Sequence, residues 1–282
     1  MFNLAVITDE INQEFERALD LMIEWGIGQA ELRALWGKNI ADLNRQELER
    51  AKRALDERGI SVCCIASPFF KCDLTGEAGP AAGRTHQASE RTLAQQMDVL
   101  NRCIEAAHLF GTGLIRTFAF WRRGDMTPEV VDRIAELYQR PLQMAKDAGV
   151  VLCLENEHDC YMSTGVETAA FLQRMSAHGM RAVWDPGNAF CAGERPYPDG
   201  YEALKPYIAH IHVKDPRRDG GRVAFVPIGE GDVDYTGQLK ALAADGYSGA
   251  ISIETHFAPD GDTEAGTKMA LDGLRRLISG IR

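Results

Sequence analysis

Four residues of this 282-residue chain stand where chemistry would need them: Glu155, Asp185, His212 and Glu254 each close, or nearly close, a short apolar run. The runs are VVLCLE ending at Glu155, RAVWD ending at Asp185, AHIHV carrying His212, and AISIE ending at Glu254. A carboxylate buried alone is costly, and several together repel; a cation among them converts the repulsion into coordination. Three carboxylates and one imidazole form an oxygen-rich donor set, suited to one divalent ion in a roughly octahedral site with positions left for substrate, rather than to a closed structural zinc site. Mn2+ is the first expectation, with Mg2+, Co2+ or Zn2+ as alternatives. His210 has the same parity as His212 and points to the same face of its run. It lies one layer deeper, where a hydrogen-bonded packing role is expected.

These side chains meet only if their runs lie side by side. Apolar runs recur eight times, near 3–8, 29–34, 61–67, 113–120, 150–155, 181–185, 209–214 and 249–255, each followed by a segment with helical spacing. The clearest helix carries Leu93, Met97, Leu100, Ile104 and Ala107. Gly26, Gly59, Gly111, Gly149, Gly179 and Gly246 sit just before strands, as left-handed helix caps would. Eight such units predict a (β/α)8 TIM barrel, one domain over residues 1–282, with its site on the loops at the C-terminal ends of the strands. Pro141 predicts a kink or short break near Arg140. The stretch from Lys71 to Gly83, rich in Gly and Pro, is expected as a loop at the functional end that could serve as a lid. Gly229 and Gly231 in PIGEGD have neither a P-loop lysine nor a dinucleotide pattern beside them, so a turn is expected there, not a phosphate cradle.

Composition excludes several classes. With 31 Lys and Arg against 41 Asp and Glu, the net charge of -10 repels phosphate backbones, so nucleic acid is not an expected partner. The start, MFNLAVITDE, has too short an apolar stretch for a secretory signal and no later run is long enough for a membrane span, which predicts a cytoplasmic protein. Seven cysteines, an odd number without a C-x-x-C pair, read as buried thiols.

Taken together, LENEHD, WDPGN, HIHVKD, PIGEGDVDY and IETH, in this order and across nearly the whole chain, resemble the xylose isomerase-like barrel superfamily. More narrowly the chain resembles the sugar phosphate isomerase/epimerase proteins, which include ketose 3-epimerases, hydroxypyruvate isomerase, inosose dehydratase and, more distantly, endonuclease IV. The resemblance implies that Glu155, Asp185, His212 and Glu254 are the metal ligands and that Glu155 and Glu254 are a catalytic acid/base pair. It implies a small-molecule sugar or polyol substrate, with a proton removed beside a carbonyl to give an enediolate, and a homodimer or homotetramer. Lys71, Arg116, His158, Asn188, Lys214, Arg218 and His256 are the expected substrate-binding residues, with Arg116 foremost because a guanidinium inside an apolar strand needs an ion pair or a ligand. Trp36, Phe118, Trp121 and Trp184 are candidate pocket walls. In ketose 3-epimerases His usually stands three residues beyond the metal Asp and Glu six beyond the first metal Glu; here Asn188 and Tyr161 stand there. Lys214 and Asp215 instead resemble the H-x-K-D element of inosose dehydratase-like members. An isomerase or epimerase is therefore expected first, with a dehydratase, lyase or hydrolase on an oxidised sugar as the alternative. DNA cleavage of the endonuclease IV kind, which uses three metals, is poorly matched by seven histidines and a negative charge.

Overall fold

In the computed structural model, which describes residues 2–75, 81, 83, 85–89 and 91–281, eight parallel strands close on themselves. They are β1 (Asn3–Ile7), β2 (Gln29–Leu32), β3 (Ser61–Ile65), β4 (Leu114–Thr117), β5 (Val151–Glu155), β6 (Arg181–Trp184), β7 (Ile208–Val213) and β8 (Ala250–Ile253). Each pairs with its sequence neighbours, and β1 closes the ring on β8 with Asn3 opposite Ala250 and Val6 opposite Ile253. The eight strands expected from the sequence are all present.

Strand parity divides the residues between two environments. Val6, Leu32, Ile65, Ile115, Leu152, Leu154, Trp184, Ile211, Val213, Ile251 and Ile253 belong to one apolar cluster shared with the surrounding helices. Alternate residues face the lumen, and there the chain places Glu31, Cys64, Arg116, Cys153, Glu155, His210, His212 and Ser252, all buried. The apolar core thus lies between sheet and helices, while the inside of the barrel is polar. Burial of that outer layer, at about 25 cal/mol per Å² of apolar surface, must carry a lumen that contributes little hydrophobic stabilisation of its own.

The helices that cover the sheet start where local chemistry dictates. Asn44 and Thr164 form capping boxes with Glu47 and Glu167 at the starts of α2 (Arg45–Glu57) and α5 (Gly165–Arg174), which follow α1 (Phe15–Glu24) in chain order. All six glycines expected to end helices adopt φ between 64 and 74°. Between α2 and α5 lie α3 (Gln96–Phe110) and α4 (Pro128–Asp147). Of the kink or short break expected near Arg140, the break does not occur: α4 is continuous through Pro141, with Ile134, Tyr138, Pro141, Leu142 and Ala145 buried. An antiparallel hairpin absent from the sequence reading, Asp215–Asp219 with Arg222–Val226, follows β7 and turns at Gly220 and Gly221.

After β6 and β7 come the short helix α6 (Pro186–Cys191) and α7 (Tyr235–Ala244), and the chain ends in α8 (Thr263–Ser279). Gly273 of α8 is in such close contact that a Cβ there would lie 2.0 Å from the backbone oxygen of Ile228. Helix propensity alone makes Ala about 1 kcal/mol better than Gly, whereas overpacking against backbone costs up to about 3 kcal/mol. Gly273→Ala should therefore destabilise the protein by about 2 kcal/mol in urea denaturation; a raised midpoint would show that α8 shifts freely and that the contact does not constrain it.

Candidate metal centre

The ends of β5 to β8 deliver Glu155, Asp185, His212 and Glu254 to one place, each buried, with one donor atom from each inside a 4.8 Å span. Asp185 stands just beyond β6 as the N-cap of α6, where its Oδ1 accepts the Asn188 N–H at 2.8 Å and its Oδ2 is left to face the lumen. Among the described residues, Asp185 Oδ2 and Glu155 Oε2 are buried and accept no hydrogen bond. His212 turns Nδ1 toward the group, 3.2 Å from Glu155 Oε1 and 3.7 Å from Glu254 Oε2. Carboxylate oxygens that accept no hydrogen bond and an imidazole nitrogen converging in this way fit a divalent cation.

The surroundings are cationic in a specific pattern. Lys214 Nζ lies 2.7 Å from both Asp185 Oδ2 and Glu254 Oε2. Its stem passes over Gly187, where a Cβ would come within 2.6 Å of Lys214 Cγ, so the glycine of WDPGN makes room for the lysine. On the other side of Glu254, Arg33 Nη1 donates to Oε1 at 2.6 Å, while Arg33 also binds Asp9 at 2.8 Å and Glu10 at 2.5 Å. Burial would raise Glu254, but the charges of Lys214, His256 and His212 hold its carboxyl well below the usual range. For Asp185 burial prevails over Lys214, and its carboxyl is raised. Burial would lower His212, but Glu31 and Glu155 push it well above an ordinary histidine.

The other residues expected at the site fall at different distances from this centre. Arg116 donates to the carbonyls of Ala66 and Ser67 and lies 3.2 Å from Glu155 Oε2. Asn188 donates to Glu155 Oε1 at 3.2 Å, and its Oδ1 is 3.0 Å from His158 Nδ1, so it orients a carboxylate instead of facing open space. His158 is desolvated, yet the hydrogen bond and charge of Glu157 push it up to about 9. Lys71 pairs with Glu157 at 3.0 Å and lies over the rings of Phe118 and Trp121. His256 sits at the rim with φ 52°, between His86 and Phe225, its Nε2 buried and without a hydrogen bond. Arg218 is not brought to the centre: it is exposed on the hairpin and stacks on Phe190. Trp184 and Trp36 are not pocket walls, because strand parity turns Trp184 outward to Gln238 and Trp36 meets Phe15 edge-on with Arg50 over its ring. The loop of PIGEGD folds round a carboxylate of the chain itself, Gly229 and Gly231 both donating to Asp215 Oδ2. Of the expected lid, residues 76–80 and 82 lie outside the described residues; beyond it His86 stacks on His256, over the rim.

Sequence reasoning missed Glu31, Arg33, Asp9 and Glu10. The signal was present, since Glu31 and Arg33 share parity in the run QAELRA, where Ala30 before them and Leu32 between them are apolar, so two charges share the inward face.

Comparison with known proteins agrees with this fold. Residues 19–277 match the family model described as a xylose isomerase-like TIM barrel. The inosose dehydratase of Clostridium perfringens strain 13 is 23% identical over 258 residues, 83% of this chain and 82% of that one. The inosose dehydratase of Geobacillus thermodenitrificans is 22% identical over 262 residues, 85% and 84% of the two chains. Among solved structures, an IOLI protein with a bound zinc atom superposes with TM-score 0.78 at 15% identity, over 100% of this chain and 99% of that one. An L-ribulose 3-epimerase gives 0.74 at 18% identity, over 100% and 96%. These structural likenesses are of fold.

Arg33 is buried among three carboxylates, so removing it strands charges that water cannot reach. Arg33→Met should cost about 3–5 kcal/mol in chemical denaturation; a loss below about 1 kcal/mol, the size expected of an exposed pair, would contradict the burial of this network.

Proposed function

The chain belongs to the xylose isomerase-like TIM-barrel family, and from that premise we propose that it is a divalent-metal-dependent enzyme acting on a hydroxylated sugar or cyclic polyol ketone, removing a proton beside the carbonyl and eliminating a hydroxyl group as water. A divalent ion held by Glu155, Asp185, His212 and Glu254 would polarise the carbonyl and acidify the adjacent C–H.

The observation that carries this reading is the position of Lys214 between Asp185 and Glu254, 2.7 Å from each. A lysine held beside the reacting centre is a proton donor for a departing hydroxyl, and its neighbours keep it charged, well above an ordinary lysine despite burial. Glu155 is the base in this scheme, because its Oε2 accepts no hydrogen bond and meets its ion-pair partner Arg116 at 3.2 Å, a looser hold than either oxygen of Glu254 has. Glu254 is poorly placed for that role, with one oxygen bound by Arg33 and the other by Lys214. Glu155 takes the C–H proton, the electron pair forms the carbon–carbon double bond, the C–O bond breaks, and Lys214 gives its proton to the departing oxygen. Similarity to inosose dehydratases supports the same choice.

Epimerisation or isomerisation is the second reading. It is favoured by Glu155 and Glu254 approaching one place from strands three apart in the ring, as proton transfer on two faces needs, and by the fold shared with an L-ribulose 3-epimerase.

Inososes and keto-sugars incubated in heavy water with Mn2+ separate the two. Elimination predicts an unsaturated product lacking one water, abolished by chelator and restored by Mn2+. Epimerisation predicts deuterium in a substrate of unchanged composition. Lys214→Met should slow elimination roughly 100-fold or more while leaving proton exchange measurable. Unchanged elimination in Lys214→Met would remove the lysine from the mechanism, and exchange without water loss across the panel would select the epimerase reading.

A further inference from the structure

One layer below the four ligands, Glu31 lies wholly buried between two histidines. His210 Nε2 is 2.8 Å from Glu31 Oε2, and His212 Nε2 is 3.0 and 3.1 Å from Glu31 Oε1 and Oε2. The other nitrogen of His210, Nδ1, is buried with no hydrogen-bond partner. An N–H orphaned there would be costly, so the proton of a neutral His210 belongs on Nε2, donated to Glu31. A carboxylate only accepts; Glu31 therefore takes a second N–H from His212 Nε2. That leaves Nδ1 of His212 as the nitrogen facing Glu155 and Glu254.

We propose that Glu31 is a positioning residue, which, itself held by His210, fixes the tautomer and ring orientation of His212 so that the Nδ1 lone pair points at the cation site. The proposal rests on the metal-site reading above. A carboxylate behind a ligating histidine is a recurrent device that orients the ring and raises its basicity. Here it is built from β2 and β7, on strands that do not neighbour each other, so the hydrogen bonds run across the lumen. The deeper histidine thereby supports the ligand two residues on.

Two measurements on the full chain test this. Calorimetric titration with Mn2+ should show Glu31→Gln binding roughly 10–100-fold more weakly than the native protein, with the variant still folded by circular dichroism. A purely structural role would lower thermal stability and leave the affinity of the folded protein alone. Long-range proton–nitrogen NMR of the native, Zn2+-loaded protein, with labelled histidine, should show His212 protonated at Nε2, and needs no variant to fold. Equal Mn2+ affinity in a folded Glu31→Gln, or a His212 proton on Nδ1 in the loaded protein, would overturn the assignment and leave the four-ligand reading intact. Failure of the native protein to bind Mn2+ or Zn2+ at all would overturn the four-ligand reading, and Glu31 with it.

Discussion

An excess of buried negative charge governs this barrel. At the mouth and in the lumen Asp9, Glu10, Glu31, Glu155, Asp185 and Glu254 are all buried, and the permanent cations buried among them are Arg33, Arg116 and Lys214. Six carboxylates against three cations leave three charges without a permanent counter-ion, in a region where each unpaired charge costs several kcal/mol. A divalent ion would offset two of them, with His212 neutral and its Nδ1 free to coordinate, and would give a use to the oxygens of Glu155 and Asp185 that accept no hydrogen bond.

The scaffold makes that concentration tolerable by separating labour along each strand. In VLCLE, Leu152 and Leu154 join the apolar layer beneath the helices while Cys153 and Glu155 face inward; in IAHIHV, Ile211 and Val213 do the same while His210 and His212 face inward. Stability is thus supplied from outside the ring, leaving the inside free for chemistry. Position along the strand grades the polar set: Glu31 and His210 lie deep, the four proposed ligands lie above them, and His256, His86 and Phe225 form the rim. Arg33 and Lys214 grip opposite oxygens of Glu254, and this double hold separates the two glutamates chemically although their sequence contexts look alike.

The barrel was legible because eight apolar runs with helical segments between them leave little alternative, and because a parallel ring places the ends of its strands together. For the same reason the convergence of Glu155, Asp185, His212 and Glu254 could be expected from four strand ends. His210 was placed on the same face by parity and one layer down by its position two residues before His212. The limits have physical causes too. QAELRA looks like a half-solvated strand, so Glu31 and Arg33 pass for surface charges until the closed ring shows that their face has no solvent. Arg218 was expected among the substrate-binding residues, but it lies on a hairpin that carries it away. Pro141 does not break its helix, which buries residues on both sides of it.

The central claim is a cation at the convergence of those four side chains, and the most direct measurement is anomalous diffraction from a crystal of the protein grown with Mn2+. The account predicts one strong peak within coordination distance of Glu155, Asp185, His212 Nδ1 and Glu254, with the Lys214 ammonium displaced from at least one of its two carboxylates. A map with no peak there, and Lys214 still bridging Asp185 and Glu254, would contradict it.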